Sequence, residues 1–194
     1  LTHLQFFSYG GDSWKTFDSR ADEVAKKVNK RDVTIDTGNV LFGDTTTMTA
    51  DGPLEYSLHT ITRLKWVNRD VELETSPGVT PVIYSKKSPV NAVQWAAGIE
   101  LALLIDSDKV ILTTDHPNGG PFTRYPELIA LFMSKKYRDK YSEMNNAIER
   151  RTGLLTIDRE LDFYEIAQIT RANPAKSAGM EKIKGHLGVN AHAD

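Results

Sequence analysis

The chain predicts an α/β fold built on parallel strands, and three stretches carry that reading. Leu1-Thr-His-Leu-Gln-Phe6 is short and mostly apolar and reads as a buried strand; residues 13–30 have helical spacing, and Val33-Thr-Ile-Asp36 reads as a second buried strand. Strand, helix and strand joined by short loops make a parallel crossover unit. Pro89 to Ile105 is a helix that is apolar on most of its sides. Val110-Ile-Leu112 is a third short apolar run, which delivers two threonines and Asp115 to its C-terminal end. That end is where α/β enzymes keep their chemistry.

The totals exclude several classes. A length of 194 residues suits one domain or a large piece of one. The chain is 40% hydrophobic and 26% charged with formal net charge −2, an ordinary globular composition. No basic stretch is interleaved with aromatics, so no nucleic-acid partner is expected. There is no cysteine, which excludes disulfides, thiolate metal sites and cysteine-held iron–sulfur clusters within this chain. No apolar run is long enough to span a bilayer, and the N-terminus lacks a signal-peptide layout. A cytoplasmic location is expected. The chain opens at Leu1 inside an apolar stretch and closes without a finishing element, so it reads as an internal segment of a longer protein.

In order along the chain, His3 is the first residue of interest. An imidazole near a strand end is a common Zn²⁺ ligand; a hydrogen-bonded core histidine is the plainer alternative. Phe17, Ala21, Val24, Ala25 and Val28 recur at helical spacing, with Ser13 as the expected cap. Asp36 closes its strand, either orienting a site group or, more plainly, facing the loop. Residues 39–88 do not fit a simple crossover. Thr45-Thr-Thr47 is loop-like, 66–74 alternates imperfectly, and Val79 to Tyr84 is β-branched around Pro81. They read as a long excursion containing a hairpin, with His59 on its surface. Ser88 caps the next helix and Pro89 suits its first turn. That helix needs cover on several sides, from the excursion or from a partner subunit.

Beyond the third strand, Pro126 to Met133 is a short apolar helix. Ser134 to Arg151 is strongly charged and reads as a solvated helix, or else as a docking surface. Leu161 to Arg171 is a helix with Ile166 and Ile169 inward, which Asn173-Pro-Ala-Lys176 ends. The turn after the third strand, Asp115-His-Pro-Asn-Gly-Gly-Pro121, has an ordinary explanation too, with Asp, Gly and Pro as turn formers.

The residues carry a more specific signal. Thr114-Asp-His-Pro117 resembles the last barrel strand of the metal-dependent amidohydrolase superfamily. The longer string Thr114-Asp-His-Pro-Asn-Gly-Gly-Pro-Phe-Thr-Arg-Tyr-Pro126 is similar to one branch of it, the A subunits of formylmethanofuran dehydrogenases, and a related loop occurs in bacterial formyltransferase/hydrolase complexes. Thr2-His-Leu-Gln-Phe6 is similar to the sixth strand of that branch, which ends in a metal-binding histidine. The branch is expected to have a further histidine where this chain has Phe7. Thr170 to Lys176 followed by Lys184-Gly-His-Leu-Gly188 resembles the superfamily's exit from its barrel, with a departure at His192.

The resemblance covers nearly the whole chain, and its implications are these. The fold is the C-terminal portion of a (β/α)8 TIM-like amidohydrolase barrel, residues 1–183, with a long inserted excursion; residues 184–194 begin the return into a small β-domain. Five strands and most ligands of a binuclear zinc site precede Leu1. His3 and Asp115 are metal ligands, and Asp115 is also the catalytic acid–base. His116 supports Asp115 or lines the pocket. Asn118, Gly119 and Gly120 offer backbone N–H groups to a substrate oxygen. Arg124 pairs either with an anionic substrate group or with a structural carboxylate. The implied reaction interconverts formate plus methanofuran with N-formylmethanofuran, beside partner subunits that hold a tungsten or molybdenum pterin and iron–sulfur clusters. The helices Pro89–Ile105 and Ser134–Arg151 are the expected subunit contacts. Rival readings are the bacterial hydrolase-complex subunit, a cyclic-amide hydrolase, and a non-catalytic scaffold that kept the fold.

Overall fold

A computed structural model describes residues 1–13, 15–47, 82–114, 116 and 119–192 of the chain. Leu1 to His3 runs alongside Thr34 to Asp36. The Leu1 amino group donates to the Thr34 carbonyl at 2.8 Å, and the Asp36 N–H donates to the Leu1 carbonyl at 2.9 Å. These are the bonds of a parallel ladder. The ladder then stops, because His3 is left-handed (φ 49°, ψ 54°) and Leu4–Phe7 wind into a 3₁₀ turn. The strand expected over Leu1 to Phe6 is therefore cut short at His3. Leu4 and Gln5 point inward, while Phe6 and Phe7 are exposed.

The expected helix start also moves. Tyr9–Gly10 (β1) and Asp18–Ser19 (β2) form an antiparallel pair, and the helix (α1) covers only Ala21–Asn29. Ser13 does not cap it. The Ser13 carbonyl instead closes a turn with the Thr16 N–H at 3.1 Å. Phe17 matches the helical spacing but packs its ring on Tyr9 at 4.7 Å, so the hairpin uses it and not the helix. In α1 the residues Ala21, Ala25 and Val28 face inward, with Asp22 and Glu23 in the first turn and Lys26 and Lys27 in the last, each sign matching the helix dipole.

Ile35–Asp36 (β3) follows, then the buried run Val40, Leu41 and Phe42. Thr46–Thr47 (β4) pairs antiparallel with Val82–Ile83 (β5), so the excursion leaves and returns through one two-stranded neck. The hairpin expected inside it and His59 lie outside the described residues.

Pro89–Leu104 (α2) is the core of the structure. Ser88 accepts the Asn91 N–H at 3.2 Å as its N-cap, and Pro89 occupies the first turn. Every residue from Trp95 to Leu103 is buried. Each buried Leu or Ile side chain of this kind contributes about 1.5–3 kcal/mol. Trp95 stacks on Tyr141 at 5.2 Å and lies against Phe42 at 5.9 Å. Gly98 allows a close approach, since a side chain there would meet the Asn39 amide at 2.8 Å. Carbonyls at the end of α2 find side-chain donors: Asn29 donates to Leu104 at 3.0 Å, and Arg159 to Leu103 at 2.7 Å and to Ile105, just past the helix, at 3.2 Å. This chain's own α1, β2 and later helices cover α2. Its expected role as a subunit contact is thereby corrected.

Val110–Ile111 (β6) pairs in parallel with β3, Ile35 opposite Val110 and Asp36 opposite Ile111. The ladder continues past the strands, with Thr37 N–H donating to Ile111 at 3.1 Å and Asn39 N–H to Thr113 at 2.8 Å. Helix α3 spans Tyr125–Met133, as its apolar pattern suggests. The charged helix expected over Ser134 to Arg151 is two helices, Lys135–Ser142 (α4) and Ala147–Arg151 (α5). Nor is it wholly solvated: Arg138 is 0% exposed. Its guanidinium donates to the carbonyls of Leu131 at 2.8 Å, Ile157 at 2.8 Å and Arg159 at 3.1 Å. Three carbonyls need donors there, one near the end of α3 and two in the segment after Thr156, and a planar fork supplies them.

The final helix runs through Pro174 rather than stopping at Asn173. Phe163–Ala167 (α6) begins with an Asp162/Glu165 capping box, widens into a π turn at Gln168–Ala172, and continues as Asn173–Ser177 (α7). In the wide register the Asn173 N–H reaches the Gln168 carbonyl. The matching donor for the Ile169 carbonyl would be residue 174, and proline has none. That carbonyl accepts the Leu112 N–H at the end of β6 instead, at 2.9 Å. Asn173 donates to Ser107 and Val110 carbonyls at 2.7 Å each. Residues 178–192 are turns and bends. Among the described residues the strands form three two-stranded sheets and do not close a barrel.

Candidate active site

The parallel arrangement gathers three chain segments with β3 in the middle, and their C-terminal ends carry His3, Asp36 and Thr113. His3 bonds twice to one oxygen of Asp36. Its backbone N–H donates to Asp36 Oδ1 at 2.9 Å, and its ring Nδ1 lies 2.7 Å from the same atom. A carboxylate oxygen only accepts, so Nδ1 carries a proton, and in the neutral ring the lone pair is then on Nε2. This is the arrangement that metal-ligating histidines use. Thr113 Oγ1 also donates to Asp36 Oδ1, at 2.7 Å, and accepts the Gly38 N–H at 3.0 Å. The Phe6 ring is 6.3 Å from the imidazole, whereas Phe7 is 76% exposed.

The loop after β6 is anchored on its strand side. Thr114 is buried, and its hydroxyl donates to the Gly120 carbonyl at 2.8 Å. Thr45 donates to the Gly119 carbonyl and accepts the Leu41 N–H at 2.6 Å. Gly120 lies flat on Leu41, where a side chain would meet the leucine Cδ1 at 2.6 Å. Asp115, Pro117 and Asn118 lie outside the described residues. His116 is exposed, with its ring edge-on to Phe122 at 5.3 Å. Arg124 meets carboxylates of its own chain: Nε and Nη2 donate to Glu127 at 2.9 and 2.6 Å, and Nη1 pairs with Asp44. These neighbours push the guanidinium value further up, the Glu127 hydrogen bond most of all. Of the two roles open to Arg124, the geometry displays the pairing with structural carboxylates.

His3 and Thr113–Thr114 thus come together at one end of the ladder, while Gly119, Gly120, His116 and Arg124 follow on the succeeding loop. Among the described residues no group of three or more His, Asp or Glu side chains converges to hold a metal ion. Asp36 takes the orienting role that the sequence offered as the less plain of its two readings, while Thr113 and Gly38 are site residues that the sequence did not single out. The available signal was Asp36 at the end of a strand beside a strand ending in Thr-Thr.

The chain matches the amidohydrolase family model over residues 1–194. It is 60% identical to Protein FwdA of Methanocaldococcus jannaschii over 196 aligned residues, covering 100% of this chain and 35% of that protein. It is 38% identical to the A-subunit of the formyltransferase/hydrolase complex Fhc of Methylorubrum extorquens over 203 residues, covering 100% of this chain and 37% of the relative. The crystal structure of the FhcABCD complex from that organism, with methylofuran, contains a chain that superposes with a TM-score of 0.82 at 39% identity, covering 100% of this chain and 36% of the other. The chain therefore spans about a third of the length of these relatives. It belongs to the amidohydrolase family, in the branch formed by the A subunits of formylmethanofuran dehydrogenase.

Proposed function

We propose that these residues are the C-terminal part of an amidohydrolase (β/α)8 barrel, 1–183, with 184–194 starting the return into a small β-domain, in a cytoplasmic subunit that interconverts formate plus methanofuran and N-formylmethanofuran. The observation that carries this reading is His3, held by Asp36 beside the strand that runs into Thr114-Asp115. The stronger identity to FwdA, 60% against 38%, favours a dehydrogenase-type complex over the bacterial hydrolase complex. No helix among the described residues is long and apolar enough to cross a membrane.

The donor chemistry fits zinc. His3 with its proton on Nδ1 is a neutral nitrogen ligand through Nε2, and Asp115 is the second ligand this segment contributes to a binuclear site whose other ligands precede Leu1. When bound, zinc polarises a carbonyl and makes water nucleophilic near neutral pH. Asp115 takes the proton of the water that attacks the formyl carbon. As the C–N bond breaks, it returns that proton to the amine nitrogen, leaving formate. In the synthetic direction the same carboxylate takes the amine proton and releases water. Gly119, Gly120 and Asn118 offer N–H groups to the formyl oxygen, and His116 borders the site. Arg124 holds the loop through Asp44 and Glu127. Redox centres, the tungsten or molybdenum pterin and the iron–sulfur clusters, belong to partner subunits, in keeping with a chain without cysteine.

The test is zinc content of the natural full-length protein, with formamide turnover of its complex. About two zinc per chain with turnover that Asp115→Asn abolishes, the fold staying intact, supports the reading. A folded protein purified without chelator and without zinc sinks it in favour of a scaffold. Near-normal turnover in Asp115→Asn removes Asp115 from its role.

A further inference from the structure

We propose that Asp36 is a positioning residue that sets both sides of the site at once: its Oδ1 gathers the His3 ring, the His3 backbone and the Thr113 hydroxyl, fixing the imidazole's proton and plane and tying it to the strand that leads to Asp115. This rests on the reading of His3 as a metal ligand.

Three donors converge on that one oxygen, at 2.9, 2.7 and 2.7 Å. Two come from the segment on one flank of β3 and the third from beyond β6 on the other. Asp36 sits between them in the ladder, and its side chain is 15% exposed. A carboxylate that merely ended a strand would face water. This one accepts charge-assisted bonds, which are about twice as strong as neutral ones.

The backbone of His3 points the same way. A left-handed conformation costs a residue with a Cβ roughly 1–2 kcal/mol. Glycine or asparagine would end the strand there at lower cost. Histidine persists in that conformation because the Asp36 carboxylate replaces the next backbone acceptor of the ladder and holds the ring as well. Strain retained at a side chain with a specific partner is the signature of a functional position.

Gly38 closes the arrangement. It is left-handed itself (φ +60°), and a Cβ on it would lie 2.8 Å from the His3 Cβ and 2.9 Å from its Cγ. Its N–H binds the Thr113 hydroxyl, directing the Thr113 proton toward Asp36. The imidazole is therefore packed from below by Gly38 and steered from the side by Asp36. Thr113 reaches no part of the His3 ring in this network. It acts on His3 through Asp36 and, by holding the Gly38 N–H, through the backbone packed on the ring, which makes it a test of the linkage as a whole.

The experiment uses the full-length protein in its complex and measures zinc affinity by chelator competition, together with the visible spectrum after cobalt(II) substitution. Asp36→Ala is expected to weaken zinc at the His3 position by roughly 10–100-fold and to shift the cobalt bands. Asp36→Asn, which keeps the shape and drops the charge, and Thr113→Val, which leaves the His3–Asp36 contact in place, are expected to do the same to a smaller degree. If Asp36→Ala does not assemble, these two variants decide the matter. His3→Ala separates the two ideas. Zinc lost in His3→Ala but unchanged, with an unchanged cobalt spectrum, in the Asp36 and Thr113 variants overturns the positioning role. Zinc unchanged in His3→Ala overturns the ligand reading on which it rests.

Discussion

Glu100 accepts the backbone N–H of Gly153, 53 residues further on, and a methyl group on Gly153 would lie 3.3 Å from that same carboxylate oxygen. The other oxygen of Glu100 accepts the Ser19 hydroxyl. One carboxyl in the middle of α2 thus joins the hairpin strand β2 to the turn after α5.

Burial dominates at this group. Glu100 is 2% exposed, and desolvation pushes its carboxyl up to about 7, against the opposing pull of the Ser19 and Gly153 bonds and with a further upward push from Asp22. The ordinary value is 4.5, so the folded state holds the proton more tightly than the unfolded chain. The stability this contributes is complete below about pH 4.5 and is lost as pH rises toward about 7, on the order of 3 kcal/mol. Urea midpoints of the full-length protein should fall across that window. Glu100→Gln should flatten the fall, because a neutral amide keeps the Gly153 bond at every pH. An equally steep fall in the variant would assign the effect elsewhere.

Arg138 makes a prediction of the opposite kind from its neighbours on α4. Its removal leaves the carbonyls of Leu131, Ile157 and Arg159 without their donor. Arg138→Met, which retains most of the volume, should destabilise the protein by about 3–5 kcal/mol, as loss of a buried charged partner does. Lys136→Met, at an exposed position on the same helix, should change stability by less than about 0.5 kcal/mol. Equal unfolding midpoints for the two variants would show that the buried fork is dispensable.

Gly120 is limited by space and not by its dihedrals. Gly120→Ala drives a methyl into the Cδ1 of Leu41, which is itself 1% exposed. The expected cost is about 1–3 kcal/mol. Leu41→Val removes the obstructing atom, so the double variant should be more stable than the two single losses predict, by about 0.5 kcal/mol or more. Strict additivity in a double-mutant cycle would refute the contact.

Much of the frame is legible in the sequence because local signals and burial agree. Ser88-Pro89 opens α2 as a cap and first-turn proline should, and the apolar run at Val110 forms β6. Where the expectation fails, a partner distant in sequence changes the meaning of a local pattern. Leu1 to Phe6 has the composition of a strand, but the Asp36 side chain takes over the ladder at His3. Phe17 falls on the helical period of α1, but Tyr9 claims its ring. Arg138 looks like a solvated charge until three carbonyls from two distant segments converge on it. Asp36 stands out at its strand end, yet its role depends on Thr113, which lies 77 residues away. Periodicity reports which face is apolar. It does not report which chain end will arrive beside it.

The π turn at Gln168–Ala172 acts as an angular spacer. One additional residue in a turn advances everything after it by about 100° around the axis. That rotation aims Asn173 at the Ser107 and Val110 carbonyls and leaves the Ile169 carbonyl open toward Leu112. The length of this helix and its rotational phase are thus set separately. Deleting one residue between 168 and 172 would take out the wide turn while turning Asn173 away from β6. A chain repaired to better secondary structure would there be the worse fit to its own sheet.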